Sequence, residues 1–259
     1  MGNTPFARMK PIRTALAVSL CMFLLALPAV GQFYPPMTID PPLLKFLPED
    51  AAFTATVEVS SRAPAYHWPV RVALLKGQTR VEMDISKMEQ ERKEPAWTDY
   101  VGQMKQAGSA QSVSVFSADR KSIFTVLPAL KAYMEQTIPE EALSQLRKRP
   151  KAQKVEMGTE DVAGRSATKT KLIFSKGDMD VWRTWETPEA IIWAAKDAPG
   201  IPLRIEVLNS VGETNTTLVF KDVDFKKPGS ELFAPPKGFT KCNQESLMKR
   251  IMEKWPKDK

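Results

Sequence analysis

Phe53-Thr54-Ala55-Thr56-Val57-Glu58-Val59-Ser60 sets apolar residues at 53, 55, 57 and 59 against polar ones at 54, 56, 58 and 60. Successive side chains of a strand point to opposite faces, so a period of two predicts a strand with one buried and one wet face. The pattern recurs downstream. Val70, Val72 and Leu74 share a face, Lys76-Gly77-Gln78 makes a turn, and Val81, Met83 and Ile85 alternate with Arg80, Glu82 and Asp84. Together they predict a hairpin. More strands are expected at 112–117, 122–127 and 133–136, then at 154–158, 166–174, 179–185, 190–195, 203–208 and 216–225. Gly177-Asp178, Pro199-Gly200 and Val211-Gly212 mark turns between the later ones. About ten short consecutive strands predict a meandering antiparallel sheet, and a sheet of that length has to curl or close.

Three helices interrupt or end this series. Trp97, Tyr100, Val101 and Met104 fall at i, i+3, i+4 and i+7, with Pro95 suited to the first turn and Gly108 to the end. A brief helix is expected over 139–149 with Leu143 and Leu146 inward. At the C-terminus Asn243 can cap a helix whose apolar stripe is Leu247, Met248, Ile251, Met252 and Trp255, stopped by Pro256. The fold class is therefore α+β, a curved antiparallel sheet with helices free to cover its concave face.

The N-terminus has a different character. Arg8, Lys10 and Arg13 precede an uncharged apolar run from Thr14 to Val30, and Ala29-Val30-Gly31 supplies a small-x-small site. This is the layout of a cleavable secretory signal, with the cut expected after Gly31. An uncleaved anchor would need roughly 20 apolar residues, and Pro28 breaks this run early. A lipid-modified Cys21 fits poorly, because Leu20 precedes it and the apolar run continues past it. The domain reading is a signal at 1–31, a proline-rich arm at 32–50 and a single half-barrel domain at 51–259. Cleavage lowers the formal charge from +7 to +4, since three basic residues leave with the signal. That balance does not call for nucleic acid. Cys242 is left as the lone cysteine, with no intrachain disulfide possible. Its expected place is an incidental surface site, where Cys242→Ser would change stability by less than ~0.5 kcal/mol.

Catalytic and metal signatures are missing. One histidine, His67, cannot make a multi-histidine metal site, and the expected place of Tyr66-His67-Trp68-Pro69 is a loop. Gly164-Arg165-Ser166-Ala167 lacks the closing glycine of a nucleophile elbow. No glycine-rich phosphate loop occurs, so neither an enzymatic activity nor a cofactor is expected. Arg147-Lys148-Arg149-Pro150-Lys151 is a basic cluster without interleaved aromatics. It suits a solvated helix end, or else a contact with anionic envelope lipids. Of six tryptophans, Trp182, Trp185 and Trp193 fall on adjacent expected strands, where large aromatics are normally core.

Three segments carry a family resemblance. Gly158-Thr159-Glu160-Asp161-Val162-Ala163-Gly164 resembles the G-T-E-x-V-A-G segment of a family of bacterial exported domains of unknown function. That family is similar to the outer-membrane lipoprotein carrier and sorting proteins, the LolA/LolB-like half-barrels. Trp193 to Arg204 resembles its W-x-x-K-D … G-I-P-L-K hairpin, and Leu232 to Phe239 its closing L-F-x-x-P-x-G-Y segment. Order and spacing agree over roughly residues 154–240. Gly164 and Gly200 suit positive φ, Pro202 suits a strand start, and Phe233 can anchor the final loop on the core. The resemblance implies a half-barrel whose concave apolar space holds acyl chains in the carriers. It implies an exported, periplasmic or extracellular binding protein for an apolar, lipid-like ligand, in contact with the envelope membrane or its lipoproteins. The other reading is a structural or protein-interaction domain whose interior its own side chains fill. Phe53, Val57, Val59, Val72, Leu74, Val81, Met83, Trp97, Tyr100, Met104 and Trp193 are the candidate lining residues.

Overall fold

The alternation at Phe53 becomes the central strand of the sheet. In β1 (Ala52–Arg62), Phe53, Ala55, Val57 and Val59 are buried and the residues between them half-buried. It lies between β2 (Ala65–Leu75) and β12 (Thr214–Asp224), antiparallel to both. The computed structural model describes residues 50–62, 65–91, 95–147, 151–174, 189–198 and 200–256, all within one compact unit, Pro36–Lys259. The signal and most of the arm lie outside the described residues, as do the expected strand at 179–185, Trp182, Trp185 and most of the 147–151 basic cluster.

The remaining strands are β3 (Gln78–Asp84), β4 (Glu89–Gln90), β5 (Gln111–Ser117), β6 (Ser122–Leu127), β7 (Ala132–Thr137), β8 (Ala152–Val162), β9 (Arg165–Phe174), β10 (Glu189–Ala195), β11 (Pro202–Leu208) and β13 (Thr240–Cys242). Among the described residues these thirteen strands form one open, curved sheet. Its order is β13-β7-β6-β5-β3-β2-β1-β12-β11-β10-β9-β8, with β4 beside β2. The α+β half-barrel expectation holds. Two differences have physical causes. β4 and β13 are pairings of two and three residues, too short to show a period, and β13 runs parallel to β7. His67 is not in a loop. It lies on β2 opposite Ser60, its Nδ1 3.1 Å from the Ser60 hydroxyl. Pro69 is tolerated there because β3 pairs with β2 from Arg71 onward and β4 only at Tyr66 and His67. The amide that proline lacks therefore falls in a gap of the ladder.

The three α-helices among the described residues are α1 (Pro95–Ala107), α2 (Glu140–Arg147) and α3 (Gln244–Lys254). α1 starts at Pro95 and stops at Gly108, whose φ of 72° is open to glycine without strain. The Asn243 side chain caps α3, accepting the Ser246 amide at 2.8 Å. α3 packs Leu247 and Ile251 against Leu127, Leu130, Ala132 and Met134. α2 sets Leu143 against Ile123, Ile138 and Phe116. The β8 edge is exposed, but a bulge between Glu156 and Gly158 and its row of charges blunt it against further strand pairing.

Register decides which side of the sheet each residue serves. Val72 pairs with Val81, Val81 with Ser114, Ser114 with Thr125, and Thr125 with Met134. These residues share one face, hereafter the wall, with Phe53, Val57 and Val59. On the opposite, back face, Ala73 and Leu75 gather with Val113, Val115, Phe124 and Val126. That face is covered by the segment around Leu232, Phe233 and Phe239. Phe233 is 1% exposed, as expected of an anchor, and Arg80 donates to the Leu232 carbonyl at 2.9 Å. The sheet is thus buried on both faces at β5–β6, and the back has its own apolar cover.

Candidate functional site

The wall is the first component of the site. Phe53, Val57, Val59, Val72, Leu74, Val81 and Met83 form one cluster with Trp68, Val70, Ile205, Val207, Leu218 and Phe220. All are buried. Phe53 and Phe220 meet edge to face with ring centroids 6.5 Å apart. The Trp68 indole N–H donates to the Asp84 carbonyl at 2.9 Å, which satisfies the one polar group this side chain buries. Burying each Val, Leu or Phe of this set contributes about 1.5–3 kcal/mol relative to exposure, so the wall is also the main core. Seven of the eleven candidate lining residues are brought together here.

The second component is α1. Trp97 and Met104 are half-buried and Tyr100 is 41% exposed. The wall cluster takes Ile85 and Met88 from the turn before α1 but, among the described residues, no side chain of α1 itself. The helix instead touches the 3-10 turn Ile85–Lys87 and α3. Trp97 and Tyr100 lie 5.9 Å apart, and Tyr100 lies 6.2 Å from Trp255 at the end of α3. Met248 and Met252 of α3 are 43% and 50% exposed. The expected α3 stripe is thereby divided, with Leu247 in the core and the methionines on the surface. α1 and α3 together present an aromatic and methionine surface beside the wall.

The turn that carries α1 is held by Asp84. Its carboxylate accepts from the Ser86 amide at 3.0 Å, the Ser86 hydroxyl at 2.6 Å and the Gln111 amide at 3.0 Å. Partial burial pushes this carboxyl up, but the hydrogen bonds from Ser86 and Gln111 outweigh it and hold it below the usual range. The Ile85 amide donates to the Ala110 carbonyl at 2.9 Å, closing the base of the α1 loop.

Trp193 does not line the wall. Ile192 pairs with Ile205 on the wall side, so its neighbour Trp193 faces the back, opposite Arg204 and Lys169. There it packs with Ala167, Ala195 and Leu203. The Lys169 ammonium and the Arg204 guanidinium lie 4.9 and 5.0 Å from its ring. Its indole N–H donates to Glu160 at 2.7 Å, and Lys169 bonds the same carboxylate at 2.7 Å. The bonds from Lys169, then Trp193, hold Glu160 below the ordinary carboxylate range. Four strands, β8 to β11, are tied by this ladder, which is a reason for a tryptophan here that involves no ligand. Sequence periodicity missed the placement because alternation fixes the period and not which side is inward.

Cys242 also needs correction. It is buried at 7% exposure among Leu127, Leu130, Ala132 and Leu247, not an incidental surface thiol. Its partner strand β7 is tied to β13 a second time by Lys241, 2.5 Å from Glu135. That bond holds the Glu135 carboxyl low against a smaller opposing effect of burial, and it raises the Lys241 ammonium. Among the described residues no group of three or more His, Cys, Asp or Glu stands close enough to hold a metal ion, and no helix is long and apolar enough to cross a membrane.

No protein-family model matches the chain, and no curated protein sequence matches it. Solved structures of similar fold do. An uncharacterized conserved protein from Thermus thermophilus is 16% identical, with 78% of this chain and 95% of that one covered and a TM-score of 0.46. The lipoprotein LppX of Mycobacterium tuberculosis is 13% identical over 73% of this chain and 98% of its own, with a TM-score of 0.41. A LolA superfamily protein from Nitrosomonas europaea is 10% identical over 76% and 96%, with a TM-score of 0.29. These likenesses are of fold.

Proposed function

We propose that this protein is an exported, non-enzymatic binding protein that takes an apolar, acyl-type ligand between the sheet wall and α1. The observation that carries the reading is the state of α1. Its Trp97, Tyr100 and Met104 face lies beside a fully buried wall, yet no α1 side chain among the described residues joins the wall cluster. A helix tied to the Ile85–Lys87 turn and to α3, with only Ala107 at its last turn fully buried, can move off the wall at less cost than a core helix. The energetics suffice, since each buried CH₂ contributes about 0.8 kcal/mol and one chain brings a dozen or more. Export is supported by the basic start and the Ala29-Val30-Gly31 site.

Titration with a fluorescent fatty-acyl probe tests this. Wild type should bind saturably. Met104→Glu places a charge on the half-buried α1 face without breaking the helix. It should weaken binding by about tenfold or more while leaving the melting temperature within a few degrees. No saturable binding to wild type would retire the reading in favour of an interaction domain with a filled interior.

A further inference from the structure

The wall is not apolar throughout. On β5 the side chains of the wall side are Ser112, Ser114 and Phe116, whereas Val113 and Val115 face the back. Ser112 stands opposite Met83, and Ser114 stands between Val81 on β3 and Thr125 on β6. Three small hydroxyl residues therefore form a strip between the apolar cluster of β1–β3 and the Leu127–Met134 surface under α3. Ser114 is 0% exposed, and its hydroxyl has no hydrogen-bond partner among the described residues. A buried hydroxyl without a partner disfavours folding, and an alanine or valine at the same place, like Val113 and Val115 on the other side, would not. Such a group calls for an acceptor, and the described residues supply none.

We infer that Ser114 is the polar anchor of the acyl site, its O–H donating to the carbonyl oxygen at the head of the chain. This rests on the binding reading above and narrows it: the ligand is a fatty acid or an acyl ester, and not a plain hydrocarbon. Ser112, Ser114 and Thr125 face the carbonyl head from the wall side, while Val72, Val81 and Met83 take the chain. The anchor is a neutral donor, so it serves an acid and an ester alike; separate arms distinguish them.

The experiment compares three tagged probes of equal chain length, carrying a carboxylic acid, a methyl ester or a bare hydrocarbon end, on wild type and Ser114→Ala. Wild type should bind one or both carbonyl probes about tenfold tighter than the hydrocarbon, and whichever binds tighter names the source. Ser114→Ala should remove that gap, leave hydrocarbon binding unchanged, and melt at or above the wild-type temperature. A ¹³C-labelled carbonyl should absorb at lower frequency when bound to wild type than to Ser114→Ala. Ser114→Cys, of nearly the same volume and a weaker donor, should fall between the two. A gap that survives Ser114→Ala with an unshifted carbonyl band overturns the anchor and leaves the binding site standing. A lowered melting temperature in Ser114→Ala overturns it too, since the hydroxyl would then have a structural partner. No binding of any probe to wild type defeats the site itself, and the anchor with it.

Discussion

Phe233→Ala tests the two-faced sheet. The ring is 1% exposed and packs on Ala73, Leu75, Val113, Val115, Phe124 and Val126. Truncation loses the transfer free energy of the ring and adds about 24 cal/mol for each Å³ of void that remains, so buried Phe→Ala changes cost about 3–5 kcal/mol. Arg80 holds the neighbouring Leu232 carbonyl at 2.9 Å and is itself paired with Glu82 at 2.8 Å. The segment is therefore tethered and cannot collapse freely into the space, which places the expected loss in the upper half of that range. Urea unfolding followed by tryptophan fluorescence reads it as a lower midpoint at unchanged slope. Trp97→Ala is the contrast. The larger ring is lost, but from a half-buried position outside the wall cluster, and the loss should stay below about 2 kcal/mol. A loss under about 1 kcal/mol for Phe233→Ala, or equal losses for the two variants, would refute the assignment of faces.

Cys242→Ser buries a hydroxyl among Leu127, Leu130 and Leu247 and should lower stability by about 1–2 kcal/mol in the same unfolding assay; a neutral result would take the residue out of the α3 core. Trp193→Phe loses the donor to Glu160 and should reduce stability by about 1 kcal/mol while leaving acyl-probe affinity unchanged, because the residue faces the back; weakened probe binding would contradict that placement. Asp84, Glu135, Glu160 and Asp197 are all held below the ordinary carboxylate range. Their stabilisation is present above their unfolded values near about pH 4 and is lost as pH falls through the lower folded ones. The melting temperature should be flat from about pH 7 to 5 and drop below about pH 4, and a melting temperature that rises on acidification would contradict this. Lys241, shifted up, acts in the opposite sense and loses its contribution only as pH rises past its ordinary value near 10.5.

The strands with one apolar and one polar row were legible as strands. Phe53 to Ser60 shows its inward row directly because the other row is Thr, Thr, Glu and Ser. Ser112 to Ser117 shows the same period, but its valines answer to the Phe233 segment on the back, and no local pattern discloses that a second cover exists. Trp193 was misplaced for the same reason, since a large aromatic can serve either face. The cue was present in its partners: Lys169, Arg204 and Glu160 flank positions where a wall would carry aliphatics. β13 is three residues long and parallel, and Cys242 is buried where that pairing and α3 meet, which no local pattern discloses. The hydroxyl strip was not legible, because a serine on a strand looks like a wet residue until the register puts it beside Val81.

The central claim is that an acyl chain lies between the wall and α1, and covalent capture in place tests it most directly. A fatty acid carrying a photoreactive diazirine is bound, irradiated, and its adducts mapped by peptide mass spectrometry. Adducts should fall on α1, between Pro95 and Ala107, and on the wall side of β3 and β5, around Val81, Met83 and Ser114. Excess unlabelled fatty acid should compete them away. Adducts that no competitor removes, spread over exposed apolar residues such as Met157 and Val211 on other parts of the surface, would contradict it.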